Sequence, residues 1–405
     1  MGGSAICQWC AKWTLPLVHN HHPSSSFHGC IAKPLWGRLG RLGELPLPVA
    51  PPSSQPPPWR TAYELLPKVS RTFALGIAGL KNPLRGSVCV AYLLCRILDT
   101  VEDAPGLSAA ERWALMEPLL SCLESGGAPP PAWSARLVAR LEALSAPADL
   151  ALLKHSGDVL LCYAACEEMD RLSMTRWVTE MGKGMVAWSE RMGEEPGAVK
   201  TLPSPAALDR YCYYIAGTVG YLLTDLFYIH APGVDKALFF RLEQDAESFG
   251  LGLQKVNILK DLADDYHRGW CFLPTSLLKS EGLTPSDLAK PSRGPAIYRA
   301  ALPVLLSTRG HLERAWRYLT LIPLEEREIR LFLAQSLFFA VRTLALVAED
   351  PARLAAPEKL KISRMEVAGL VASLALRISR PDALQDYFAE CAASLAGLGS
   401  EEARK

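Results

Sequence analysis

The chain has 405 residues, enough for one large helical domain or two ordinary ones. Its 43 basic and 42 acidic side chains leave a formal net charge of +1, so no global field attracts nucleic acid or an acidic surface, and any charge chemistry has to be local. Eight of the eleven cysteines (Cys89, Cys95, Cys122, Cys162, Cys166, Cys212, Cys271 and Cys391) lie among apolar residues with no secretory signal before them, which points to a reduced, cytoplasmic interior rather than a disulfide framework.

Residues 1–58 differ in composition from the rest: seven prolines crowd the stretch from Pro46 to Pro58, Ser24 to Ser26 form a polar run, and no helical period is visible. This extension is expected to stay disordered or extended. Cys7, Cys10, His19, His21, His22 and Cys30 within it lack the spacing of a zinc finger, and the run lacks the unbroken apolar core of a signal peptide. From Trp59 to about residue 395 the chain reads as one helical domain. Its first signal is Ser70-Arg71-Thr72-Phe73, a hydroxyl beside an arginine near a helix boundary. That pair can offer a cationic fork to phosphate oxygens, or be a capping serine with a surface arginine.

Leu84 to Asp103 is predicted as a helix of 20 residues, stopped by Pro105 and Gly106. Ala109 to Leu123 and Ala132 to Leu144 are amphipathic and flank an exposed loop. Leu150 to Ser173 and Thr175 to Met192 continue the helical pattern, with Gly182 and Gly184 making room for a neighbour or marking a break. Leu208 to Tyr228 is the most aromatic predicted helix, and Gly217 and Gly220 bare part of one face for a cavity wall or a close helix contact. Its tyrosines read as core, or as ring faces that stabilise a carbocation without offering it a lone pair. Gly250 to Asp265 is the next predicted helix, followed by a loop that carries Arg268. Leu302 to Thr320 and Glu325 to Ala348 follow, the second apolar on most sides and so central. Lys359 to Arg364 is a basic cluster opening the next helix, either a solvated face or a contact for a nucleotide or diphosphate. No strand alternation or fixed repeat appears, and no apolar run reaches the roughly 18 residues of a membrane span. The body is expected to be all-α and soluble, or at most peripheral to a membrane.

Two stretches organise the rest. AYLLCRILDTVED ends in Asp99 and Asp103, and GLGLQKVNILKDLADD ends in Asp261 and Asp265; both pairs are four residues apart, so on a helix each presents two carboxylates on one face. Like charges at that spacing weaken a helix and resist desolvation unless something compensates. A hard divalent cation does so, since Mg2+ prefers carboxylate oxygen and commonly takes its remaining ligands from water and substrate phosphates. The bland alternative is two solvated helix ends.

Four pieces then make the chain resemble the squalene/phytoene synthase family from about Ser70 to Leu376: SRTF at Ser70 to Phe73, YLLCRILDTVED at Tyr92 to Asp103, DRYCYYIAGTVG at Asp209 to Gly220, and LQKVNILKDLADD at Leu253 to Asp265. DTVED, Gln254-Lys255-Val256-Asn257, and Phe332-Leu333-Ala334 with Lys361-Ile362 resemble its squalene-forming branch. The resemblance implies an isoprenoid-synthase fold, a helical bundle around a central cavity, and head-to-head condensation of two farnesyl diphosphates followed by reduction with NADPH. It implies Mg2+, or Mn2+ in its stead, held by Asp99, Glu102, Asp103, Asn257, Asp261 and Asp265. Tyr211, with Tyr92 as second candidate, matches the tyrosine implicated in the first condensation. Ser70, Arg71, Phe73, Arg96, Gln254, Asn257, Lys260 and Arg268 match substrate positions, Phe332 belongs to the water-excluding wall, and Lys361 and Arg364 fall where NADPH is expected to act. Two departures stand out: Lys260 replaces an arginine, and Trp270 occupies the place of a second arginine, with Arg268 two residues earlier. They keep open a non-reductive phytoene or dehydrosqualene synthase and a catalytically silent prenyl-lipid-binding scaffold. The implied partner is small-molecule farnesyl diphosphate and no nucleic acid, with peripheral membrane association for product release and a monomeric or weakly oligomeric chain. The sequence has no C-terminal anchor of the eukaryotic kind, which fits an expectation of a bacterial-type enzyme.

Overall fold

Proline and serine start most of the helices. In the computed structural model, which describes residues 56–126, 132–191, 199–356 and 360–398, α1 (Pro57–Val69) opens on two prolines, whose missing N–H costs nothing in a first turn. The first described helix therefore begins two residues before Trp59; residues 1–55, with the Cys7 to Cys30 cluster, lie outside the described residues. Ser70 ends α1 and caps α2 (Arg71–Ala78), its hydroxyl accepting from the Phe73 N–H at 3.2 Å. α3 (Leu84–Asp103) has the predicted bounds, and α4 (Ala109–Ser125) starts on a reciprocal Ser108–Glu111 capping box. α5 (Trp133–Leu141) follows.

The helix expected over 150–173 is instead α6 (Pro147–Lys154), α7 (Ser156–Ala164) and the start of α8 (Glu168–Arg191). The chain turns there because α7 packs on α1 and α3 whereas α8 packs on α4 and α10. α8 passes through Gly182 and Gly184 without a break. A Cβ at Gly184 would lie 2.1 Å from the Tyr214 ring, so that glycine makes room for a neighbouring chain.

The aromatic helix also departs from a single rod. After β1 (Lys200–Thr201), α9 (Pro205–Cys212) runs into a five-residue π segment, Tyr213–Gly217, and then α10 (Thr218–His230). The widened turn carries close contacts with α11 (Lys236–Lys260): a Cβ at Gly220 would meet the Ala246 carbonyl oxygen at 2.0 Å, and one at Gly250 the Ala216 oxygen at 2.1 Å. α12 (Leu262–His267) and β2 (Trp270–Cys271) come next, β2 pairing in parallel with β1 as a two-residue bridge that the sequence did not signal. α13 (Thr275–Ser280), α14 (Gly294–Leu321), α15 (Arg327–Glu349), α16 (Arg364–Arg377) and α17 (Pro381–Ala392) complete the order.

Six helices close a ring: α3 packs on α8, α8 on α10, α10 on α11, α11 on α15, α15 on α2, and α2 on α3. α14 backs α11, and α16 and α17 back α15. The protein is all-α around that ring. α15 corrects one expectation, since among the described residues it alone is long and apolar enough to cross a membrane, with a mean hydropathy of 1.9. Of that window 72% is buried inside the protein, which is what a central core helix requires. The eight cysteines of the body are all buried and none forms a disulfide.

Candidate active site

The ring encloses a cavity of about 730 Å³. Its depth is apolar, lined by Ile77, Val88, Leu223, Phe249, Phe332 and Phe339 from five of the six ring helices, and its mouth is charged. Both carboxylate forks lie at that mouth.

The first fork is the last turn of α3, where Asp99, Glu102 and Asp103 line the cavity. A helix C-terminus carries unsatisfied carbonyls and a partial negative charge, so three acids there need support. Arg112 of α4 supplies it. The residue is 2% exposed, and its guanidinium donates to the carbonyls of Glu102 (3.1 Å), Ala104 (2.8 Å) and Leu107, and to the Ser189 hydroxyl. The sequence offered no signal for this clamp.

The second fork is not on one uninterrupted helix. α11 ends at Lys260, Asp261 adopts φ −114° and ψ 17°, and Asp265 sits in the first turn of α12. The Asp265 N–H still donates to the Asp261 carbonyl at 2.8 Å, so the two side chains keep the spacing of one turn. Lys260 Nζ lies 2.5 Å from Asp261 Oδ2 and 3.2 Å from Asn257 Oδ1, while Arg268 pairs with Asp265.

The forks face one another. Burial pushes Asp99 up to about 7, with Asp103 adding to the effect and Arg96 opposing it. Burial, then Asp103 and Asp99, hold Glu102 well above the carboxylate range. Burial raises Asp103 against Arg268, although its carboxylate still reaches solvent at the rim. Burial takes Asp265 to about 6, opposed by Arg268 and reinforced by Asp261 and by Asp103 from across the mouth. Arg268 therefore acts on both forks. The set holds more negative charge than it can solvate, which suits a divalent cation. Among the described residues no group of three or more His, Cys, Asp or Glu side chains is placed to hold a metal ion by itself, so a cation at these forks would need further ligands such as water or phosphate oxygen.

Of the other expected residues, Ser70, Phe73, Tyr92, Arg96, Tyr211, Gln254, Asn257, Lys260, Phe332 and Lys361 all line the cavity. Arg96 is already engaged, its Nε and Nη2 donating to the two carboxylate oxygens of Asp149 at 2.9 and 3.0 Å. Tyr211 is buried and stacks on Phe272 at 4.9 Å; burial, with Glu102 and Asp103 next, holds its phenol well above the ordinary range. Tyr92 stands 5.7 Å from the Phe73 ring, and burial raises its phenol too. Two expected residues are not seen in that lining. Arg71 opens α2, but its side chain lies outside the described residues. Arg364 does not line the cavity: Ser363 caps α16, and the exposed Arg364 side chain lies outside the cavity lining.

Trp270 explains its own departure. It is 7% exposed, stacks on Phe272 at 5.4 Å, and carries Lys200 Nζ 4.7 Å from its ring centre. The residue anchors the β1–β2 bridge that holds the loop after the second fork, and it is not part of the cavity lining.

A family model described as squalene/phytoene synthase matches residues 66–366. Squalene synthase of Schizosaccharomyces pombe is 28% identical over 318 residues, which cover 78% of this chain and 64% of the relative. Squalene synthase of Homo sapiens is 28% identical over 286 residues, covering 71% and 63%. The chain thus spans under two thirds of the length of these curated relatives. Among solved structures, a complex of TcSQS with the ligand E5700 aligns with a TM-score of 0.66 at 22% identity over 84% of this chain and 96% of that one. A dehydrosqualene synthase in complex with ligand aligns with a TM-score of 0.52 at 18% identity, over 79% and 95%. Both are likenesses of fold.

Proposed function

Since the chain belongs to the squalene/phytoene synthase family, we propose that it is a prenyltransferase that joins two farnesyl diphosphates head to head and reduces the product to squalene. The observation that carries this reading is the pair of carboxylate forks facing each other across the mouth of one deep apolar cavity.

Mg2+ bound between Asp99, Asp103, Asp261 and Asp265, with Glu102 and Asn257 beside them, would supply positive charge to a departing diphosphate. The chain's own contribution is to position and to enclose. Lys260 and Arg268 flank the second fork and add cationic charge where the diphosphate oxygens gather it. As the C1–O bond of the first substrate breaks, the electron pair leaves with the diphosphate, and the allylic cation meets the double bond of the second substrate; loss of a proton closes the cyclopropane. Burial, then Glu102 and Asp103, raises the Tyr211 phenol well above its ordinary range, and Tyr211 presents its ring to the cavity from its stack on Phe272. Phe73, Phe249, Phe332 and Phe339 exclude water that would trap the cation. NADPH would supply the hydride that ends the second step; Lys361, beside Ile362 and Val367, is the cation the cavity offers its phosphates.

A non-reductive product, dehydrosqualene or phytoene, is the second reading, favoured by the position of Arg364 outside the cavity. Incubation of the full chain with Mg2+ and farnesyl or geranylgeranyl diphosphate, with and without NADPH, separates the two by product. Squalene formed only with NADPH supports the first reading. A C40 product, or dehydrosqualene indifferent to NADPH, replaces it, and no prenyl product at all would favour a silent lipid-binding scaffold.

A further inference from the structure

A second cleft lies apart from the cavity of the two forks and shares no lining residue with it. Trp316 of α14, Pro323 and Leu324 beyond that helix, Arg330 of α15, and Pro381 and Leu384 of α17 enclose about 370 Å³. That is room for a small organic molecule rather than for one or two waters. Arg330 is 3% exposed, and burial lowers its pKa with no carboxylate nearby to offset the loss of water. Its Nε donates to the Ile378 carbonyl at 3.2 Å, and its Nη1 to the carbonyls of Leu319, at 3.2 Å, and Ile322. These carbonyls belong to the ends of α14 and α16, so the guanidinium holds two helix C-termini much as Arg112 holds the end of α3. The third nitrogen sets the two arginines apart. Arg112 spends all three on protein acceptors, whereas Nη2 of Arg330 has none among the described residues. A buried cation with an unmet donor and no counter-ion is costly to keep.

Other donors around the cleft are unmet as well. Trp316 is 2% exposed and stacks on Phe388 at 4.2 Å, yet its indole N–H has no acceptor. Gln385, half-buried in the lining, makes no hydrogen bond through its amide among the described residues. α17 has 12 residues and starts at the cleft with Pro381 and Asp382, and the side chain of Arg380 before it gives no cap. The N–H groups of that first turn therefore add a partial positive charge. Asp382 is the acid of the lining; its side chain is exposed and makes no ion pair with Arg330.

We propose that the cleft between α14, α15 and α17 is a second binding site, which takes a small organic anion with its carboxylate or phosphate group on Arg330. The oxyanion supplies the counter-charge that Arg330 lacks and an acceptor for Nη2, while Pro323, Leu324 and Leu384 meet the apolar remainder of the ligand. The site stands on its own residues and does not depend on the proposed function.

Thermal melts of the full chain in chelator, without prenyl substrate, test it. Inorganic phosphate and n-butyrate are titrated separately, each against chloride at equal ionic strength, so that the two arms distinguish a phosphate from a carboxylate. At least one of them should raise the melting temperature saturably, by about 1–2 °C at ten times its Kd. Gln385→Glu sets a carboxylate in the cleft and should weaken that anion by about tenfold or more. Trp316→Phe keeps the ring stack, removes the N–H, and should weaken it by about three- to tenfold. Arg268→Gln, at the mouth of the other cavity, should leave the affinity within about twofold of the wild type. The proposal is overturned if neither anion shifts the melting temperature beyond chloride, or if the shift is lost with Arg268. It is equally overturned if the shift survives undiminished in Gln385→Glu; should that variant not fold, an undiminished shift in Trp316→Phe decides in the same way.

Discussion

Arg112 holds the end of the helix that carries the first fork: its Nη2 donates to the Ala104 carbonyl at 2.8 Å, one residue beyond Asp103. Removing the guanidinium leaves buried carbonyls without donors and lets the last turn of α3 fray. Arg112→Met should cost about 3 kcal/mol of stability, read as a fall of several degrees in melting temperature. Turnover should fall further than the loss of folded protein accounts for, since Glu102 and Asp103 lose their position. An activity loss equal to the folded fraction lost would show that Arg112 is structural only.

The raised acids set a pH dependence with a definite sign. Asp99 is pushed up to about 7, chiefly by burial, so its folded-state affinity for a proton exceeds the unfolded one. Its contribution to stability is fully present below the unfolded value near 4 and is lost as the pH rises through about 7. Asp99→Asn should therefore stabilise the metal-free protein at about pH 8, by on the order of 1–2 kcal/mol after solvent screening, and change it little at about pH 4. The same substitution should abolish turnover. Thermal melts at the two pH values in chelator test the sign.

Arg268 rather than residue 270 is the arginine that serves the mouth of the cavity. Arg268→Gln should lower turnover by about 10- to 100-fold, because it removes the cation shared by Asp265 and Asp103. Trp270→Arg should not rescue that variant. Residue 270 is buried under Lys200 and against Phe272, so the new charge would lie beside a like charge and cost about 3 kcal/mol or more of stability. Recovery of activity in the double variant would contradict this assignment.

Close backbone contact fixes α10 and the π segment on α11. Gly250→Ala would put a methyl 2.1 Å from the Ala216 carbonyl oxygen, in rigid backbone, and should cost about 2–4 kcal/mol. Gly369→Ala, with nothing within 4 Å, should instead stabilise by about 1 kcal/mol through helix propensity. Denaturant melts of the two variants should move in opposite directions.

The parts legible in the sequence were those set by local spacing. Asp99 and Asp103 lie one helical turn apart in any α-helix, and the stop at Pro105 and Gly106 fixed where that helix ends. Asp261 and Asp265 kept the same relationship even though the helix changes between them, because one backbone hydrogen bond still spans the turn. Residues paired across long stretches of chain gave no signal: Arg96 with Asp149, Arg112 with the end of α3, and Lys200 with Trp270. The π segment was hidden for the same reason, since the fit of Tyr214 on Gly184 and of Ala216 on Gly250 depends on three helices meeting. Lys361 and Arg364 read alike as one basic cluster. Only the start of α16 at Arg364 separates them, leaving Lys361 on the cavity wall and Arg364 outside it.

The central claim is that the two forks act together on one diphosphate. It is tested most directly by Mg2+-dependent release of inorganic pyrophosphate from farnesyl diphosphate in the wild type, Asp99→Ala, Asp261→Ala and the double variant. Each single substitution should lower the rate by about a thousandfold or more, and the double should be little worse than either, as for groups that work as a unit. A single variant that keeps its rate to within about tenfold of the wild type would contradict the account.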